Sequence, residues 1–208
     1  MSKIVDEFLA MLSGSEEMLS YAFDSLKKKG RAKKAQKRIY NRDQDINLME
    51  RDLRSRILDH LSTSPRCNIP ACLVLISIAK DAERVGDYIK NLIELPRLLK
   101  DSKRDKEIFR ILFDEIGSEL LILFRMSSDS IRKSDSMLAS KTVSKGHDIA
   151  ERCEGIIEDV ATSEYDIRQA VVLALGARYM KRIALHLSNI ATSVVNPFPE
   201  MDFKTFSE

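Results

Sequence analysis

Residues 75–92 read Leu75-Ile76-Ser77-Ile78-Ala79-Lys80-Asp81-Ala82-Glu83-Arg84-Val85-Gly86-Asp87-Tyr88-Ile89-Lys90-Asn91-Leu92. Within this stretch Leu75, Ile78, Ala82, Val85, Ile89 and Leu92 recur at alternating steps of three and four. That spacing lays one apolar seam along an α-helix, of the kind that packs against neighbouring helices at about 20°. The seam runs on to Leu99, interrupted by Pro96, where the helix is expected to kink or end.

The same pattern returns 98 residues later. Leu75, Ala79, Arg84 and Asn91 find identical residues at Leu173, Ala177, Arg182 and Asn189. Amphipathicity alone would align the apolar seam, but not an arginine with an arginine and an asparagine with an asparagine. A second pair of segments matches at an offset of 103, Ile46 onto Ile149. The chain therefore reads as two copies of a three-helix unit. The copies are expected at residues 1–100 and 101–196, followed by a tail at 197–208.

Periodicity elsewhere predicts the remaining helices. The first covers about 2–29 and stops at Gly30. A second covers about 33–61, with Ile46, Met49, Leu53, Ile57 and Leu61 on one face. The turn Ser62-Thr63-Ser64-Pro65 precedes the third helix, where Pro70 suits a first helical position. Residues 101–107 read as a polar joint. The fourth helix carries Phe109, Leu112, Ile116, Leu120 and Leu123 inward and extends past Ile131 towards Leu138. The fifth is expected over about 142–162, and the sixth from Tyr165 or Asp166 to just before Pro197. The fold class is all-α: six long helices in two tandem bundles.

Composition agrees. Among 208 residues there are seven Gly and five Pro, too few for the turns of an all-β chain. The 34 basic and 32 acidic residues nearly balance, and residues 1–100 hold 19 basic against 14 acidic. So mild an asymmetry argues against nucleic acid as a partner. The dense basic run Lys27 to Lys34 reads as a solvated helix end. No apolar run reaches the length of a membrane span, and Asp6 and Glu7 stand where a signal peptide would need apolar residues, so a cytoplasmic protein is expected. Cys67, Cys72 and Cys153 form no zinc pattern and read as packing residues. The histidines His60, His147 and His186 are scattered, and no phosphate-cradling glycine loop is present, so no enzyme is expected.

Beside the seam lies a second stripe: Glu83, Asp87 and Asn91 at i, i+4 and i+8. The preceding helix carries Asp43, Asn47 and Glu50. Side by side, the two stripes would bring oxygens together, and hard cations take such ligands. The alternative is a solvated acidic face screened by Arg84 and Lys90.

The segment Ala79 to Leu92 resembles the signature of the PhoU family, a Glu-Arg-Ile-Gly-Asp core with Asn four residues on. Residues 43–50 are similar to the segment those proteins carry on the preceding helix. Cys153 to Ile157 and Ala177 to Ile190 resemble the second PhoU repeat more weakly. The resemblance covers about residues 5–195. It implies paired three-helix bundles with pseudo-twofold symmetry and a cytoplasmic, non-enzymatic negative regulator of phosphate uptake. Such a protein would connect a phosphate transporter ATPase to a membrane sensor kinase, and a homodimer fits it. It also implies a metal held by a Glu-x-x-x-Asp motif, here Glu83 and Asp87. From the facing stripes, Asp43 or Glu50 would help hold it, with Asn47 and Asn91 as further binding residues, and the ion is expected to be divalent or trivalent: iron, zinc or magnesium. Two other roles stay open: the regulatory module of a sodium–phosphate carrier, and a metal-binding bundle without a signalling partner.

The second repeat departs from this pattern. Lys181, Ala184 and Leu185 stand where Glu83, Gly86 and Asp87 stand in the first, and Gly146, Ala150 and Cys153 oppose Asp43, Asn47 and Glu50. An ammonium and an alkyl chain offer no lone pair to a metal. Metal is therefore expected in the first repeat only, with the second as scaffold or partner surface. His186, next to the lost aspartate, reads as a half-exposed helix residue. The pairing of Gly86 with Ala184 implies close helix approach.

Overall fold

The computed structural model describes residues 2–26, 32–64, 67–100 and 102–196. These form six helices and, among the described residues, no strand. The first three are α1 (Ser2–Leu26), α2 (Ala32–Thr63) and α3 (Ile69–Glu94). A 3-10 turn, Leu95–Leu98, then takes the chain away from the α3 axis. Pro96 ends the helix there because it has no amide proton to give. The fourth helix, α4, has three parts: α-helical Lys103–Phe109, a π-helical stretch Arg110–Ile116, and α-helical Gly117–Lys133. Next come α5 (Ser136–Thr162) and α6 (Ile167–Val195).

Helix starts follow their caps. Asn68 accepts from the Ala71 amide, with Pro70 in the first turn of α3. Ser102 and Asp105 form a reciprocal capping box on α4, and Asp166 and Gln169 form one on α6.

Two boundaries differ from the sequence expectation. Residues 103–107 are the first turn of α4, not a joint. And α4 stops at Lys133, not near Leu138. Ser134 takes a left-handed conformation (φ 49°), and Asp135 then caps α5 by accepting from the Leu138 amide at 2.9 Å. So α5 begins six residues earlier than its apolar period suggests. The basic run over 27–31, Pro65 and the tail 197–208 lie outside the described residues.

Helices α1, α2 and α3 pack on one another, and so do α4, α5 and α6. The two bundles meet through α3 against α6 and α1 against α4. One apolar cluster runs through both, from Phe8, Leu12, Ile46 and Val85 to Phe113, Phe124, Ile149 and Ile183. All six residues of the α3 seam are buried, as the period requires. No helix among the described residues is long and apolar enough to cross a membrane.

Candidate functional site

The acidic stripe of α3 lies against α2. Gly86 faces Asp43: a methyl group there would sit 3.4 Å from Asp43 Oδ1, an ordinary contact. Asp43 is 4% exposed. Lys90, one turn beyond Gly86, donates to Asp43 Oδ2 at 2.7 Å and to Asp87 Oδ1 at 2.8 Å. A single ammonium thus ties the carboxylates of two helices together. Burial alone would lower the Lys90 pKa, but its bonds to Asp43 and Asp87 outweigh that and push it up to about 12.

Glu83 is 9% exposed and Glu50 8%. Each has its own cation one turn along the same helix. Lys80 Nζ lies 2.7 Å from Glu83 Oε2, and an Arg54 nitrogen lies 2.8 Å from Glu50 Oε1. Those contacts are ion pairs without hydrogen-bond geometry, so Glu83 Oε2 and Glu50 Oε1 stay buried without a hydrogen bond, as does Asp43 Oδ1. Asn47 and Asn91 are exposed. The structure therefore brings Asp43 and Asp87 to one cation and keeps Glu83 and Glu50 on separate ones. Among the described residues, no three His, Cys, Asp or Glu side chains converge as a metal-ligand group. The donors are of the right chemistry for a hard cation, and three oxygens lack the bond such a cation supplies. In this arrangement Lys90, Lys80 and Arg54 stand as its competitors. Nor is the stripe a solvated face: three of its four acids are buried.

The second repeat has turned the matching crossing into close packing. A methyl group at Gly146 would fall 1.9 Å from Ser188 Oγ and 3.1 Å from the Ala184 carbonyl oxygen. Ala150 and Cys153 are buried beside it, and burial pushes the Cys153 thiol up to about 12. Lys181, in the place of Glu83, pairs with Glu154. In the first bundle a glycine on α3 gives room to an acid on α2; in the second, a glycine on α5 gives room to α6 itself.

His186 differs from its sequence reading. It is 7% exposed, its Nδ1 donates to Asp81 Oδ1 at 2.7 Å, and its buried Nε2 has no hydrogen-bond partner. The α3–α6 contact covers it, and a single-helix pattern carries no sign of that contact. Asp105 was hidden in a segment read as a joint. It is 1% exposed and accepts from Gln169 Nε2 and Arg168 Nη1, each at 3.0 Å, and from the Lys100 amide at 3.1 Å. It ties the start of α4 to the start of α6. Its capping-box spacing from Ser102 was the available signal.

Two packed three-helix bundles, related by a sequence repeat and carrying a Glu-x-x-x-Asp helix at their join, define a helical scaffold with its polar site inside the first bundle. Residues 8–95 match the PhoU domain family model. The match covers the first bundle and takes in the α3 stripe. Solved structures extend the likeness to both bundles. PhoU from Pseudomonas aeruginosa superposes with a TM-score of 0.78 at 18% identity, covering 93% of this chain and 94% of that one. The phosphate transport system regulatory protein PhoU from Streptococcus pneumoniae gives 0.81 at 17% identity, covering 93% and 92%. At that identity the likeness is one of fold. No curated protein matches the chain in sequence.

Proposed function

We propose that this protein is a PhoU-like regulator of phosphate uptake and phosphate signalling, working by protein contact in the cytoplasm. The observation that carries the reading is the PhoU domain over residues 8–95, set in a fold that both PhoU structures share along nearly their whole length. The adaptor role places it between a phosphate transporter ATPase and a membrane sensor kinase, as a homodimer. A non-catalytic role suits the side chains: Cys72 and Cys153 have thiol pKa values raised by burial, which keeps them protonated and poor nucleophiles.

We further propose that a divalent or trivalent cation (iron, zinc or magnesium) binds in the first bundle alone. Glu83, Asp87, Asp43 and Glu50 would hold it, with Asn47 and Asn91 as outer neutral donors. Bound there, it would supply positive charge to the buried carboxylates. The support is the set of three buried oxygens without hydrogen bonds, together with the loss of all matching acids from the second repeat.

Deletion of the gene tests the regulatory reading. Phosphate-starvation genes should stay active in phosphate-rich medium, and re-expression of the full chain should restore repression. Normal repression in the deletion strain counts against it.

A further inference from the structure

The geometry points to a binding site for a small molecule bearing phosphate groups, in the cleft between α1 and α2 and away from the carboxylate stripe. The cleft holds an open cavity of about 520 Å³. That is the size of a small-molecule pocket. Lys34, Lys37, Arg38 and Arg42 line it from α2, at i, i+3, i+4 and i+8, so all four share one face. Glu17 and Asp45 are the acids among the lining residues, leaving an excess of two positive charges.

The acids are already engaged by one cation. Arg42 Nη2 lies 3.3 Å from Glu17 Oε2, and Arg42 Nη1 lies 3.9 Å from Asp45. Lys34 and Lys37 have no carboxylate partner among the described residues. Gly14 positions Arg42. A methyl group at Gly14 would sit 3.2 Å from Arg42 Nη2 and 3.3 Å from Nε, so the guanidinium lies close against bare α1 backbone. It is held as a planar donor, the form in which arginine recognises phosphate. Met18, Tyr21 and Ile39 give the cavity its apolar part, and the Arg38 guanidinium covers the Tyr21 ring at 4.2 Å.

The second bundle shows that this charge is not a general property of the repeat. At the offset of 103, Lys34, Lys37, Arg38 and Arg42 correspond to Met137, Ser140, Lys141 and Lys145. Two of the four cations are missing, and Lys145 is paired with Glu119 at 3.3 Å. The unpaired excess belongs to the first bundle. Inorganic phosphate would leave most of the cavity empty. A phosphate chain on Lys34, Lys37 and Arg42, with a flat organic part against Met18 and the Arg38 guanidinium that covers Tyr21, would fill it.

Titration calorimetry of the full-length protein at low salt, with inorganic phosphate, tripolyphosphate and ATP as probes, tests this. Tripolyphosphate or ATP should bind at one site per chain. Lys34→Gln with Lys37→Gln should weaken that binding about tenfold or more. Both lysines are exposed, so the melting temperature without ligand should not move. Arg42→Gln should weaken binding as well. Lys133→Gln with Lys141→Gln removes two charges from the second bundle and should leave binding unchanged. Tighter ATP than tripolyphosphate assigns the organic part to the Tyr21 side, while equal affinities assign recognition to the phosphate chain alone; either supports the site. Three results overturn it: no saturable binding at millimolar probe, equal losses in both double variants, or binding of an acidic peptide to this face where the small anions fail. The site does not rest on the regulatory reading, and its failure would leave the deletion phenotype standing.

Discussion

The ring of His186 stacks on the ring of Tyr88, with centroids 5.7 Å apart and planes 22° apart. The two residues are 98 positions apart, the offset of the internal repeat, so they occupy equivalent places and mark the pseudo-twofold axis between the bundles. The flanking contacts obey the same relation. Asp81 meets His186, and its repeat equivalent Tyr179 meets Tyr88 with ring centroids 6.1 Å apart. The join has the form of an isologous dimer interface, in which residue i touches j and j touches i. On one side of the axis the contact is aromatic; on the other it is a buried imidazole–carboxylate pair. Asp81→Ala would leave the buried imidazole without its one hydrogen-bond partner, so urea unfolding should show a loss of about 2 kcal/mol. A double-mutant cycle with His186→Phe should return coupling of about 1 kcal/mol. Strict additivity would mean that the pair contributes nothing to the join.

The two glycines at the helix crossings should respond in opposite ways to the same change. Gly86 has 3.4 Å of clearance to Asp43 Oδ1, so Gly86→Ala should be neutral or stabilise by up to about 1 kcal/mol through helix propensity. Gly146 has none, because the Ala184 carbonyl is backbone and cannot step aside. Gly146→Ala should cost about 2 kcal/mol through overpacking. Thermal melts of the two variants would decide it: similar shifts would show that the α5–α6 crossing is no tighter than α2–α3.

Acid should act first where α4 meets α6. Burial alone would raise the Asp105 pKa, but bonds from Gln169, Ser102, Arg168 and the Lys100 amide hold it well below the ordinary carboxylate value. A depressed folded pKa means stability that is present above the unfolded value and lost as pH falls through and below it. Asp105→Asn should therefore destabilise the protein at neutral pH by about 2 kcal/mol, and flatten the stability profile below about pH 4. An unchanged acid limb would assign the acid sensitivity elsewhere.

Much of this was legible in the sequence because it depends on local period. The α3 seam, the offset of 98 and the apolar face of α2 are statements about one helix at a time, and the apolar side chains they name are buried or packed against the core. What could not be read depends on contacts between helices or on backbone that breaks period without breaking hydrophobicity. The Ser134-Asp135 break sits inside a continuous polar and apolar rhythm. The π-helical stretch Arg110–Ile116 carries no Gly or Pro to mark it. The spacing of Glu83 and Asp87 correctly placed the acids on one face of α3. It could not show that Lys90, three residues past Asp87, reaches across to Asp43.

That reach decides how the first bundle should treat metal. Lys90 already supplies the positive charge between Asp43 and Asp87, so a divalent ion entering there must compete with an ammonium held by two carboxylates. Because its folded pKa is raised from 10.5 to about 12, the Lys90 contribution is intact below about pH 10.5 and fades as pH rises towards 12. Lys90→Gln removes the charge and leaves a neutral amide donor on a side chain one atom shorter. It leaves Asp43 buried with neither a cation nor a full set of hydrogen bonds, and the metal-free variant should lose about 3 kcal/mol of stability. If the stripe is a metal site, added divalent ion should restore much of that loss and bind the variant more tightly than the wild type. Glu83→Gln with Asp87→Asn should keep the helix content and bring metal, measured by elemental analysis, down to background. Lys181→Glu with Leu185→Asp should add little binding, since Gly146 and Ala150 still offer no oxygen from α5. Should Lys90→Gln lose stability that no metal restores, Lys90 itself is the permanent cation of this site, and the first bundle keeps its acids for structure.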